Sequence, residues 1–222
     1  MPEQLGFDLP GIPALGRADF LVAPSNAVAV AMIDSDDADR LVLIGPEGAG
    51  KTHLTHVWAA RTGAGIVAAH SLQNADVPAL ADGCVAVEDV PGISAEAQTA
   101  LFHLHNLVLA NGNRLLMTGE GAPRDWGLTL PDLASRIAAA QMAALEPPDD
   151  TLLAAVLAKL FADRQLTPKA DVIPYLTARM DRSFAAARDL VARLDAASLA
   201  QKRPVTRQLA APLLDKVKPA AR

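Results

Sequence analysis

The 222-residue chain has one cysteine, Cys84, so it cannot form an intramolecular disulfide and fits a reducing compartment, the cytoplasm, better than a secreted scaffold. No stretch approaches the roughly 18 consecutive apolar residues of a membrane span, and no membrane partner is expected. The first residues carry Glu3 and Asp8, no leading basic residue, and prolines at 2, 10 and 13, which excludes a readable signal peptide. A basic stripe is also missing: 20 Lys and Arg stand against 25 Asp and Glu, for a formal charge of -5, and the cations are scattered. That is not the electrostatic footprint of an autonomous duplex-DNA binder. Asp34, Asp36, Asp37 and Asp39 form an acidic cluster that reads as a solvated loop before a strand.

What is present is apolar content of 51%, enough at this length for one sizeable core with a smaller module attached. Residues 1–20 are rich in proline and glycine and read as an extended tail outside the core. Ser25 is the expected N-cap of a helix over 27–33. Residues 41–44 are a short unbroken apolar run closed by a glycine, the pattern of a strand buried on both faces of a parallel sheet. Residues 66–69, 84–87 and 114–117 have the same form, and 141–145 is a candidate fifth strand. Helical periodicity over 51–61 and 95–109 falls between them, so strands and helices alternate as in βαβ units. Pro147 and Pro148 make a hinge, after which 149–163, 168–179, 182–200 and 206–217 all read as helix. The expected organisation is a tail over 1–20, an α/β nucleotide-binding domain over 21–147 and a small all-helical domain over 148–222.

One motif carries strong chemistry. Gly45, Pro46, Glu47, Gly48, Ala49, Gly50, Lys51 and Thr52 meet the G-x-x-x-x-G-K-[ST] pattern in full, after a strand and before a helix, with His53 following. Glycines there let backbone amides turn onto phosphate oxygens at a helix N-terminus, where the dipole favours anions. Lys51 is expected to neutralise the outer phosphates of ADP or ATP and Thr52 to ligate Mg²⁺. A carboxylate at the end of a neighbouring strand is also needed to hold the metal's water shell, and Glu88 and Asp89 supply two. Thr118 and Glu120, after the next strand, are candidate sensors of the γ-phosphate. Arg136, just before the fifth strand, is read either as an arginine finger acting across a subunit boundary or as a surface arginine. His53 and His56 lie three apart but lack a third zinc-like ligand, and His103 and His105 cannot share a helical face.

Several stretches resemble the DnaA-related AAA+ replication-initiator family, its short regulatory members in particular. Ala18-Asp19-Phe20 and Pro24-Ser25-Asn26 resemble its leading segment, and residues 47–56 its P-loop and following helix. Pro123-Arg124 and the heptapeptide Leu130-Pro131-Asp132-Leu133-Ala134-Ser135-Arg136 resemble the segment that holds its arginine finger. Gln4, Leu5, Phe7 and Leu9, in an extended peptide with one polar anchor and alternating apolar residues, are similar to the motif with which such regulators bind the sliding clamp of DNA polymerase. The resemblance implies a P-loop NTPase (AAA+) fold with a central parallel sheet and a helical lid, ADP or ATP with Mg²⁺ as cofactor, and the sliding clamp and the initiator DnaA as partners. A homodimer is left open, and no sequence-specific DNA binding is expected, because the match stops at the lid without a helix-turn-helix domain. The sequence departs from the family in three places. Glu88 stands where Asp is usual, Ala185 where the second-sensor arginine belongs, with Arg182 and Arg188 out of register, and Gly119-Glu120-Gly121 replaces the polar sensor stretch. These departures imply weak hydrolysis by the chain itself and disfavour an autonomous motor or helicase loader.

Overall fold

The structure, a computed structural model, describes residues 15–214. Five parallel strands, β1 (Arg40–Ile44), β2 (Gly65–Ala68), β3 (Val85–Glu88), β4 (Leu115–Gly119) and β5 (Gln141–Ala144), form one sheet in the order β2-β3-β4-β1-β5. Helices α1 (Ala27–Asp34), α2 (Lys51–Thr62), α3 (Val77–Leu80), α4 (Ala95–Ala110) and α5 (Pro131–Ala138) alternate with the strands. Four more follow: α6 (Asp150–Asp163), α7 (Val172–Thr177), α8 (Phe184–Gln201) and α9 (Arg207–Leu214). The expected five parallel strands and the helical C-terminal part are both present.

The apolar runs are buried on both faces because the pleat sends alternate side chains to opposite sides. Val42, Val85, Val87, Leu115 and Met117 join one core under α4 and α5. Leu41, Leu43, Ala86, Leu116 and Ala143 join the other, with Leu54, Val57 and Trp58 of α2 and Ala29, Val30 and Ile33 of α1. The last four helices enclose a separate core around Leu153, Leu157, Phe161, Leu176, Leu190 and Leu194. Truncating a residue such as Leu116, with no exposed surface, costs about 2–5 kcal/mol.

Several local expectations are corrected. Ser25 does not cap α1: Asn26 occupies that position, its Oδ1 accepting from Ala23 N–H and its Nδ2 donating to Leu21 O, while the Ser25 Oγ is buried without a partner. The end of the expected tail is not outside the core. Residues Arg17–Asp19 form a 3-10 turn, and Phe20 is only 6% exposed. A short aromatic-bearing turn packs where proline and glycine frequency alone suggested none. The third strand runs one residue later than expected, so Glu88 is its last residue, paired in register with Ala68. The helix expected over 168–179 is limited to Val172–Thr177, with Pro168 outside it.

Candidate functional site

Parallel register brings the carboxyl ends of the strands to one edge, where Ile44 pairs with Gly119 and Leu43 with Thr118. Ligands of open parallel sheets sit in the crevice outside those ends. The loop after β1 occupies it: Gly45 N–H donates to Gly119 O, Ala49 N–H donates to Pro46 O, and α2 begins at Lys51. The start of this helix differs from that of the other long helices. Ser94, Asp149 and Ser183 cap α4, α6 and α8 through side-chain oxygens, whereas Gly50 leaves α2 with no side-chain cap. The first amides of a helix need an acceptor, and at α2 they are left for an anion. Lys51 Nζ donates to Gly45 O at 2.8 Å and Pro46 O at 3.0 Å, which holds its ammonium against the same loop.

The metal side fits less completely. Glu88 ends β3 with its Oε1 buried and unpartnered, an orphaned acceptor at the strand edge that a cation or its water would satisfy. Thr52 is exposed in the first turn of α2. Mg²⁺ is held by one or two carboxylates with water and phosphate filling the rest of its shell, and Thr52 and Glu88 are the residues that would hold it. Asp89 is exposed and adopts a left-handed conformation, φ 58°, at a cost of about 1–2 kcal/mol for a residue with a side chain. Thr118 holds it there: the Asp89 N–H donates to Thr118 Oγ1 and the Val90 N–H to Thr118 O. Thr118 is therefore buried and already engaged in bracing the acidic turn, which gives it a structural duty beside the expected sensing one. Glu120 is exposed, and its carbonyl accepts from Trp126 Nε1 at 2.9 Å. Trp126 also explains Gly119: a Cβ there would lie 2.5 Å from the indole.

The helical domain touches this loop directly. Phe184 N–H donates to Gly48 O at 2.9 Å, and a Cβ at Gly48 would lie 2.6 Å from that of Ser183 and 3.3 Å from that of Ala185. Gly48 has φ 71°, so both backbone and space require glycine. Ala185, where the resemblance places an arginine, is thus a small residue beside the phosphate loop. Of the two out-of-register arginines, Arg182 pairs with Asp150 at 2.8 Å. Arg188 instead lies near enough to His53 for its charge to disfavour the imidazolium.

Phe20 was legible only as part of a matching segment, yet it packs edge-on to His53 at 5.1 Å and to Phe184 at 6.3 Å. The neighbouring residues extend this strap, with His53 Nε2 at 3.0 Å from Gly16 O and Asp19 paired with Lys159 of α6. Burial pushes the His53 imidazole below its ordinary value, partly offset by the Gly16 carbonyl.

Arg136 stands apart from the loop. It lies in the last turn of α5, half-buried, with its guanidinium over the Phe102 ring at 5.1 Å, and among the described residues it makes no hydrogen bond or ion pair. Arg124 is exposed beside Asp125. Gln4, Leu5, Phe7 and Leu9 lie outside the described residues. No helix among the described residues is long and apolar enough to cross a membrane.

Residues 149–214 match the family described as Hda, lid domain. Domain III of the replication initiation protein DnaA from Thermotoga maritima superposes with a TM-score of 0.80 at 19% identity, over 93% of this chain and 98% of that one. Residues 149–214 thus form an Hda-type lid, on a chain with the fold of DnaA domain III. Its Hda-type lid is the domain that seats Ser183 and Phe184 on the phosphate loop. AMPPCP-bound DnaA from Aquifex aeolicus matches with a TM-score of 0.70 at 17% identity, over 81% of this chain and 64% of that one. The RuvB Holliday junction branch migration motor of Thermotoga maritima gives 0.67 at 16%, over 87% and 66%. These low identities speak for a shared AAA+ fold.

Proposed function

We propose that this chain is a nucleotide-binding regulator of replication initiation that holds ADP or ATP with Mg²⁺ at residues 45–53. In this reading it docks on the polymerase sliding clamp through Gln4, Leu5, Phe7 and Leu9, and it stimulates hydrolysis of the ATP bound to DnaA by presenting Arg136. The observation that carries the reading is the uncapped, glycine-built start of α2 beneath an Hda-type lid. The existence of an AMPPCP-bound DnaA with the same fold supports nucleotide as its ligand.

Each residue has a defined task. Lys51 and the amides of the loop bind phosphate, Thr52 and Glu88 hold the metal, Asp89 and Thr118 shape the acidic turn, and Glu120 stands at the rim. The chain's own turnover is weak, because Glu88 carries its oxygens on a longer side chain than the usual Asp and Ala185 provides no charge toward the γ-phosphate. Arg136 contributes in another subunit's site, where a guanidinium offsets the charge that develops during phosphoryl transfer.

The test combines ATP-loaded DnaA, the sliding clamp and the purified chain. Hydrolysis of the initiator's ATP should accelerate only with all three present, and replacing Gln4 and Leu5 by alanine should abolish the dependence on clamp. Rapid turnover by the chain alone, removed by Lys51→Ala, would instead favour an autonomous ATPase such as a helicase loader.

A further inference from the structure

The proposed finger raises a physical difficulty that the fold resolves. An arginine side chain carries about 2 kcal/mol of rotamer freedom, lost when it is fixed in another subunit's site. A carboxylate partner would order it beforehand but would occupy the same N–H groups that a phosphate needs. Arg136 has no such partner among the described residues; its guanidinium carbon lies over the Phe102 ring, 5.1 Å from the centroid. A contact to a ring face takes up none of the guanidinium's N–H groups with an oxygen acceptor, so they stay available to phosphate.

The helix that carries Arg136 is fixed from the same side. Leu130, the residue before α5, offers no side-chain cap, and Pro131 follows it. Gln98 of α4 compensates: its Oε1 accepts from Thr129 N–H at 2.8 Å, Thr129 Oγ1 at 3.2 Å and Leu130 N–H at 3.3 Å. Its Nε2 donates to Ile93 O at 3.2 Å, and the whole side chain is 3% exposed. Every polar atom of a buried amide is thus committed to locating the start of α5 relative to the turn that follows Glu88 and Asp89. Gln98 and Phe102 are four apart on α4 and so share one face, one locating the first turn of α5 and the other the arginine in its last turn.

We propose that Gln98 and Phe102 are positioning residues for Arg136, a two-point mount that presents its guanidinium with its N–H edges unengaged. The proposal rests on the reading of Arg136 as the group that acts on the initiator's ATP. Neither residue touches the phosphate loop, so nucleotide binding by the chain itself is independent of the mount.

The experiment measures hydrolysis of DnaA-bound ATP against concentration of the purified chain, with clamp present, for wild type and for Arg136→Ala, Gln98→Ala, Phe102→Leu and Phe102→Tyr. Misplacement of about 1 Å in a reacting constellation can cost about a hundredfold in rate. The mount therefore predicts a maximal rate lowered by about tenfold or more in Gln98→Ala and Phe102→Leu, with an unchanged half-saturating concentration. Phe102→Tyr, which keeps the aromatic face, restores the rate. The ADP-induced rise in melting temperature stays as in wild type for all four, and Phe102→Leu, at a half-buried position, tests the idea even where Gln98→Ala folds poorly. Wild-type maximal rates in Phe102→Leu alongside loss in Arg136→Ala would overturn the mount while leaving the finger standing. A wild-type rate in Arg136→Ala would remove the finger reading and the mount with it.

Discussion

Residues 45–52 and the helix carrying Arg136 belong to one α/β domain but are built differently. The phosphate loop offers backbone: an uncapped helix start, a glycine at φ 71° and a lysine folded back on its own carbonyls. The arginine helix offers one side chain, set over the Phe102 ring, on a helix whose start is held by Gln98. A backbone cradle is rigid and suits a resident nucleotide, because its donors are fixed by the fold. A guanidinium set over an aromatic ring with no acid partner suits a site completed only when another molecule arrives. Under the proposed function, holding a nucleotide and acting on a partner's nucleotide rest on separate parts of this chain, and substitutions should pull them apart.

The largest separation is expected from Arg136→Ala. Loss of an arginine finger is worth about a thousandfold or more in phosphoryl transfer, so stimulation of DnaA-bound ATP hydrolysis should vanish while ADP still raises the melting temperature. Gly48→Ala reverses the pattern. The added Cβ meets Ser183 and forces a left-handed alanine, and the two costs together are about 2–5 kcal/mol. Denaturant unfolding should show that loss together with a reduced response to ADP.

Ser183→Ala sharpens the comparison at the lid. Its Oγ accepts the Ala186 N–H, so removing it costs about 1 kcal/mol of stability. Because α8 starts against Gly48, the response to ADP should weaken too, whereas Gln98→Ala should leave it intact.

The smallest effect concerns acid. Burial pushes His105 of α4 below its ordinary value, partly offset by the neighbouring Asn106 side chain; it has no exposed surface, neither ring nitrogen makes a well-formed hydrogen bond, and Arg136, Arg40 and Asp39 also bear on its charge. With the folded value lowered, the unfolded chain takes up a proton that the folded chain refuses once pH falls below about 6.5, so stability is full above that pH and declines beneath it. His105→Leu should reduce the loss of stability between pH 7.5 and 5.5, measured by denaturant unfolding at the two values. The rest of the acid response should come from His53, beside the phosphate loop, whose imidazole is lowered in the same sense.

The two regions were not equally legible in the sequence. The loop is contiguous, so eight residues with a strand before and a helix after carried its reading, and the sheet followed from unbroken apolar runs that only a doubly covered parallel sheet can bury. Arg136 was visible by resemblance, but its support was not. Gln98 and Thr129 are joined by tertiary folding across 31 positions, and no local pattern marks a glutamine that accepts from a distant loop. Phe20 was missed as a core residue because proline and glycine around it read as tail, although few phenylalanines are left outside a core without reason. Thr118 is read as a sensor because it ends a strand; that its hydroxyl also accepts from the Asp89 N–H is visible only in the fold.

The most direct measurement is melting of the full chain with ADP and Mg²⁺, for wild type and Lys51→Ala. A ligand that binds only the folded state adds about 2.7 kcal/mol at a hundred times its Kd, so wild type should melt higher with ADP and Lys51→Ala should show little change. A wild-type protein indifferent to adenine nucleotides, or a Lys51→Ala variant that responds equally, would contradict the claim that the backbone of residues 45–52 holds a phosphate.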